Sequence, residues 1–373
     1  MTTIPQMLCC AIPPHMLKEI AAHGADPGTA ARATIAHMRE IARERTRPLI
    51  DTPRTAVRNT PPPRKSRHVY DAQQKLRLPG KLVKSEHKAG PDDLVVNEAY
   101  AGSGGTHDFF LRVLGRNSID GRGMRLDSTV HYGKGFSNAM WNGRQMIYGD
   151  GDGVIFNRFT GSIDVIGHEL THGVTQSIAR LIYQGQTGAL NEHLSDVMGT
   201  LVKQWLLGLS ADRSDWLIGK ELFTANVNAR GVRSMSHPGT AYDDPILGRD
   251  PQPSHMSGYV ETDEDNGGVH INSGILNRAF YETAIAVGGY AWDPAGKVWF
   301  RTLEERLRPN ADFHDFASAT TEVARDLYGR DLQLIVENAW RKVGLDPSLT
   351  RSGASRRSRR RSSIRTNERR TIP

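Results

Sequence analysis

The chain has 373 residues, of which 24% are charged and 38% hydrophobic, a globular composition with room for two ordinary domains. No apolar run is long enough to span a membrane. The first twenty residues, interrupted by Pro5, Pro13 and Pro14, lack the basic start and long apolar stretch of a conventional signal peptide. The net charge of +7 says little about the body of the molecule, because residues 351–373 hold nine Arg and one Glu and the rest of the chain is close to −1.

The two cysteines, Cys9 and Cys10, are adjacent and cannot staple distant segments. That suits synthesis in a reducing cytoplasm and leaves later export by a non-classical route open. Residues 1–50 carry Met16, Ile20 and Ala21, then Ile35, Met38 and Ile41, at helical spacing. Residues 51–67 combine Pro53, Pro61, Pro62 and Pro63 with several Arg, the composition of an exposed linker. From 68 to 160 the pattern is strand-like: Thr129 to Tyr132 is β-prone, and Asn142-Gly143 between Met140-Trp141 and Gln145–Tyr148 is a hairpin signal. From 161 to 346 apolar residues recur three and four apart, as in helices, and the tail at 347–373 has too few apolar residues to fold.

Within the helical half, His168-Glu169-Leu170-Thr171-His172 matches H-E-x-x-H. Chance supplies such a match roughly once per hundred chains of this length, so its weight rests on context. Ile163, Ile166, Leu170, Val174, Ile178 and Leu181 form an apolar stripe through the motif, which puts His168 and His172 one turn apart on a common face. Two such imidazoles can share one Zn²⁺, and a catalytic zinc needs a third protein ligand with one position left open. Glu192, twenty-four residues after His168, lies on a second helix marked by Leu190, Leu194, Val197, Leu201 and Trp205, and can be that ligand. Asp196, one turn further, can accept a hydrogen bond from a ligand histidine and fix its tautomer.

The segments Gly188-Ala189-Leu190-Asn191-Glu192, Asp265 to Gly274 and Arg233-Ser234-Met235-Ser236 resemble those of the thermolysin family over residues 68–346, and the short N-terminal segment is most similar to the protealysin branch. The resemblance implies an α+β fold: an antiparallel β-rich N-terminal domain and an α-helical C-terminal domain, with the zinc helix in the cleft between them. It implies a neutral metalloendopeptidase with one catalytic zinc. His168, His172 and Glu192 would be ligands, with Asn191 and Asp196 supporting them. Glu169 would be the general base for the attacking water. Tyr183 and His270 would be donors to the oxyanion, with Asp265 orienting His270. Asn138 and Ala139 match an edge strand that pairs with substrate backbone. Arg233 matches the residue that holds a substrate carbonyl. Val165, Phe156 and Val232 match the walls of a pocket for a bulky apolar residue just after the cut.

The chain departs from the family at its double calcium site. Asp164 and Asp215 remain, but Lys203, Leu217 and Lys220 stand where the family has acids, so calcium is not expected there and Lys203 is expected to pair with Asp164 or Asp215. Residues 1–50 are expected to be an inhibitory pro-segment released by self-cleavage in the 51–67 linker. Two placements of Cys9 and Cys10 stay open, a thiolate near the metal or idle thiols on a helix docked elsewhere. The Arg-rich tail is expected to be a solubilising extension or a weak binder of polyanions. Against the protease stand two other readings, a non-catalytic zinc-binding protein and a nucleic-acid binder acting through the tail. The expected partners are protein or peptide substrates and the chain's own pro-segment.

Overall fold

Two prolines shape the first element of the computed structural model, which describes residues 10–23, 26–44 and 64–349. Pro13 is extended at the N-cap and Pro14 opens α1 (Pro14–Ala22), where a missing N–H breaks no helical bond. α1 buries Met16, Leu17 and Ile20, and α2 (Asp26–Glu44) buries Ala31, Thr34 and Ile41. Both lie against the rest of the chain: Ser137 N–H donates to Thr34 Oγ1 at 3.1 Å, and Lys18 pairs with Glu264 at 2.7 Å. Most of the expected linker, with its processing site, and nearly all of the Arg-rich tail, with its expected polyanion binding, lie outside the described residues.

Five strands form one sheet in the order β2-β1-β3-β5-β4: β1 (Arg67–Asp71), β2 (Lys81–Ser85), β3 (Leu126–Val130), β4 (Ala139–Trp141) and β5 (Met146–Tyr148). β1–β2 and β4–β5 are antiparallel, the second joined by the Asn142-Gly143 turn as its sequence signals. β1–β3 and β3–β5 are parallel, so the sheet is mixed. The parallel β1–β3 pairing depends on a crossover, here α3 (Leu94–Leu114). A strand-like reading of residues 68–160 passes over this helix because Gly102, Gly104 and Gly105 dilute its apolar stripe. Its start is nonetheless encoded in Asp93, whose side chain accepts from the N–H groups of Val95 and Val96.

The C-terminal half is helical: α4 (Ile163–Ile178), α5 (Gly185–Leu207), α6 (Asp265–Val287), α7 (Lys297–Glu305), α8 (Phe313–Tyr328) and α9 (Arg330–Lys342). No described helix is long and apolar enough to cross a membrane. α4 runs along the floor between the two halves, where Trp141 N–H of β4 donates to Glu169 at 2.9 Å. α4 and α5 approach closely because Gly199 has no side chain; a Cβ there would sit 2.3 Å from the carbonyl oxygen of Asp164.

At the start of α4 the buried Lys203 ammonium donates to Asp164 Oδ2 at 2.7 Å, Asp215 Oδ1 at 3.2 Å and the Leu217 carbonyl at 2.6 Å. The acids overcome the effect of burial and hold the lysine well above its usual range, so it is charged at any physiological pH. Removing one member of such a buried pair costs about 3–5 kcal/mol. We expect Lys203→Met to lose stability of that order in urea unfolding, and millimolar calcium to leave the melting temperature of the unaltered chain within about 1–2 °C, a free-energy change well below 1 kcal/mol.

A second charged clamp sits just after β3. His131, at φ 51°, lies between Asp150 (2.9 Å from Nδ1) and Asp93 (3.0 Å from Nε2). The hydrogen bond that His131 donates to Asp150 outweighs partial burial, and with Asp93 it raises the His131 pKa to about 9. Since the folded pKa lies above the unfolded value of about 6.5, this stabilisation is complete below pH ~6.5 and is lost as pH rises through ~9. Discounted for partial exposure, it is on the order of 1–2 kcal/mol. His131→Asn, which tolerates the left-handed backbone, should flatten the stability profile between pH 6.5 and 9. An unchanged slope in denaturant titrations would remove His131 from the account.

Candidate metal centre and active site

α4 presents His168, Glu169 and His172 to the cleft, and α5 presents Glu192; all four are buried. The outer nitrogens of the two histidines face partners that set their tautomers. His168 Nδ1 lies 2.8 Å from Asp196 Oδ1, while His172 Nδ1 lies 2.9 Å from Asn191 Oδ1 and 3.1 Å from Ser195 Oγ. A carboxylate and an amide oxygen accept, so both rings carry a proton outward and turn Nε2 lone pairs inward. The two Nε2 atoms are 3.0 Å apart, and Glu192 oxygens stand 3.4 Å from each. Ligands about 2.0–2.1 Å from a tetrahedral zinc are separated by about 3.3 Å, so the three acceptors are spaced as such an ion requires. Glu192 Oε2 has no hydrogen-bond partner among the described residues. The surrounding charge calls for a cation as well: burial pushes the His168 ring down, yet Asp196 and Glu192 outweigh it and hold its pKa at about 9. The residues present therefore fit a zinc ion.

Glu169 lies close by, with potential ligand atoms of His168, Glu169 and His172 all within 4.8 Å of one another. One of its oxygens is held by Trp141 N–H and the other is free of hydrogen bonds among the described residues. Burial, helped by Glu192, raises its pKa to about 7 against the pull of His168, which suits a group that takes and returns a proton. Across the site, Asp265 Oδ1 accepts from His270 Nδ1 at 2.6 Å, and its second oxygen accepts the His270 backbone N–H at 2.9 Å. Asp265, Asn266, Gly267 and Gly268 all have positive φ, a left-handed turn that folds the carboxylate back onto the histidine. At Gly268 (φ 73°) a Cβ would also meet Asn272 Nδ2 at 2.8 Å. Burial opposes a charge on His270, but Asp265 and Glu192 hold its pKa well above the ordinary value. Tyr183 donates its hydroxyl to Glu192, and that oxygen is 3.4 Å from His270 Nε2.

The expected peptide-binding residues also meet, and what they hold is the chain's own N-terminal segment. Ala11 N–H donates to the Ala139 carbonyl at 3.0 Å. Ile12 donates its N–H to Asn138 Oδ1 at 2.9 Å and accepts from Asn138 Nδ2 at 3.2 Å. Arg233, paired through Nε and Nη2 with Asp196 at 2.9 and 2.8 Å, donates from Nη1 to the Ala11 carbonyl at 3.3 Å. Val165, Phe156 and Val232 are buried in the same apolar cluster as Ala11 and Ile12. Cys10 is buried beside them and its thiol donates to the Ile12 carbonyl at 3.3 Å; burial raises its pKa against the pull of nearby His270, and Cys9 lies outside the described residues. No local spacing signals that one ammonium bridges both Asp164 and Asp215, nor any role for His193, although it stands next to Glu192.

Two imidazoles and a carboxylate spaced for zinc, with a free carboxylate beside them on the floor of a peptide-holding cleft, define a zinc metallopeptidase. A model of the thermolysin metallopeptidase catalytic domain matches residues 48–176, and one of the thermolysin metallopeptidase alpha-helical domain matches residues 179–345. The chain belongs to the thermolysin metallopeptidase family and is a metalloendopeptidase. It is 49% identical over 342 residues to an extracellular metalloprotease of Pectobacterium carotovorum subsp. carotovorum, covering 91% of this chain and 97% of that one. It is 41% identical over 289 residues to a thermolysin of Bacillus sp. (strain EA1), covering 74% of this chain and 50% of that protein. The solved precursor of protealysin, a metalloproteinase from Serratia proteamaculans, superposes with a TM-score of 0.80 at 49% identity, covering 90% of this chain and 99% of that one.

Proposed function

We propose that this endopeptidase is made as a precursor whose residues 10–12 occupy the substrate cleft, and that the released enzyme cuts peptides before bulky apolar residues. The observation that carries this reading is the hydrogen bonding of Ala11 and Ile12. They lie beside β4 and use Asn138, Ala139 and Arg233 as an extended substrate would. Ala11 then stands in the first position after the cut, where Val165, Phe156 and Val232 offer apolar walls. Cys10 is buried close to His270, whose outer nitrogen Asp265 holds. The segment thus blocks backbone recognition and the oxyanion donor together.

In the released enzyme, His168, His172 and Glu192 would hold the zinc. That ion supplies a Lewis acid for the scissile carbonyl and an acidified water. Glu169 takes the proton of the attacking water and delivers it to the leaving amine. His270, kept charged by Asp265, donates from Nε2 with the Tyr183 hydroxyl to the developing oxyanion, each such donor contributing about 10²–10³ in rate. Arg233 and Asn138 keep the peptide extended across these groups.

Glu169→Gln should keep one zinc per chain by elemental analysis and lose about 10²–10⁴ in kcat/KM. It should also remain full length where the unaltered chain shortens itself; if it matures unaided at the same bond, self-processing is wrong. On a peptide library, Leu, Phe, Ile or Val after the cut should be favoured over Gly by about 1–3 kcal/mol, and a flat profile at that position excludes the pocket assignment.

A further inference from the structure

Four nitrogens surround the Asp196 carboxylate, three as hydrogen-bond donors and the fourth in an ion-pair contact. Oδ1 accepts from Arg233 Nη2 at 2.8 Å and lies 2.8 Å from His168 Nδ1; Oδ2 accepts from Arg233 Nε at 2.9 Å and Asn277 Nδ2 at 2.8 Å. Three of these contacts tie the metal-facing histidine to the substrate-holding arginine. The contact from Asn277, on α6, leads away from the site. With Nδ2 given to Asp196, Asn277 presents its amide oxygen to His193 Nδ1 at 2.8 Å. His193 Nε2 in turn receives the indole N–H of Trp299 at 2.8 Å.

The direction of this chain is fixed by chemistry at both ends. An indole nitrogen only donates and an ionised carboxylate only accepts. His193 must therefore offer a lone pair at Nε2, carry its proton on Nδ1 and donate to Asn277, which must donate to Asp196. One ring and one amide have a single allowed orientation each. Trp299, His193, Asn277 and Asp196 are fully buried, so no solvent replaces a missing link. Trp299 is itself held by stacking on Trp340, with ring centroids 5.8 Å apart, and by edge contact with Phe316 at 5.9 Å.

We propose that Trp299, His193 and Asn277 are positioning residues for hydrolysis: a one-way donor relay that fixes the Asp196 carboxylate, and through it both the His168 ring and the Arg233 guanidinium. The relay runs from α7 through α5 and α6, so packing in the helical half sets the alignment of two groups in the cleft. Asp196 has no freedom to turn towards His168 at the expense of Arg233 while Asn277 holds its second oxygen. Without the relay, the two groups compete for a carboxylate that can rotate.

The inference rests on His168, His172 and Glu192 as zinc ligands, and the experiment separates the two. Full-length chain and variants are loaded with zinc, folding is checked by circular dichroism, and zinc affinity is measured by competition with a chromophoric chelator. Peptide hydrolysis at saturating zinc by the same chains after release of the N-terminal segment gives KM and kcat. His168→Ala should abolish stoichiometric binding; if it does not, the ligand assignment itself is wrong. His193→Phe keeps a planar ring without either hydrogen bond and should weaken zinc binding about tenfold, in the range seen when partners behind metal ligands are removed. It should raise KM several-fold while kcat falls less, because Arg233 holds substrate and transition state alike. His193→Gln, with an amide oxygen for Trp299 and an N–H for Asn277, should recover most of the lost affinity. Asn277→Leu cuts the last link and should reproduce the His193→Phe losses, and it decides the matter if His193→Phe does not fold. Zinc affinity and KM unchanged in a folded His193→Phe or Asn277→Leu chain, or no recovery in His193→Gln, overturns the relay.

Discussion

Two imidazole nitrogens and a carboxylate, all buried, are held 3.0–3.4 Å apart. In a medium of low dielectric such a group needs positive charge, and Asp196 and Glu192 accordingly favour a charged His168 ring. The three are each fixed from behind: His168 by Asp196, His172 by Asn191 and Ser195, and Glu192 by the Tyr183 hydroxyl. A divalent cation held by the three would supply that charge in place of the proton. The site is thus built as a demand for charge, and the fold supplies the rigidity to sustain that demand.

The same demand explains how the N-terminal segment engages the cleft. A site made of acceptors facing inward attracts donors, and an edge strand with an unpaired carbonyl attracts N–H groups. Ala11 and Ile12 satisfy Ala139 and Asn138 with their backbone, so little is asked of their side chains. Pro13 and Pro14 then turn the chain from extended to helical within one step, which lets α1 leave the cleft at once and pack on its rim. His15 Nε2 meets the Tyr242 hydroxyl at 3.1 Å at that exit.

What could be read from the sequence were the features with short-range grammar. H-E-x-x-H lies within two turns of one helix, and an apolar stripe shows which way the helix faces. Glu192 and Asp196 follow because their own helix has the same stripe. Asn142-Gly143 specifies its hairpin locally. Illegible features depended on pairings across long separations or on residues with weak propensities. α3 is rich in glycine where it must admit neighbours, and its crossover made the sheet mixed. His131 joins Asp93 and Asp150 only because strand and helix ends converge. His193, Asn277 and Trp299 are separated by 84 and 106 residues from one partner to the next, and nothing in local spacing links them. The pairing of Lys203 with the acids was legible in kind, since a lysine among retained carboxylates implies an ion pair, but its contact with the Leu217 carbonyl was not.

These separate contacts share one geometric origin. On α5 the inward positions are Glu192, Asp196, Gly199 and Lys203, spaced four, three and four residues, a single stripe along one face. On α4 the facing positions are His172, His168, Gly167 and Asp164, taken in the reverse direction. Read as a ladder between antiparallel helices, the rungs are Glu192 with His172, Asp196 with His168, Gly199 against Gly167, and Lys203 with Asp164. The central glycine rung brings the axes close enough for short side chains to reach, and the ion pairs on either side stop the helices sliding. A slip of one residue along either helix would rotate a polar rung into apolar packing and leave buried charges unpaired, at several kcal/mol each. Register, close approach and metal geometry are therefore one constraint, and the buried lysine at the far end of the ladder helps hold the histidines at the near end in line.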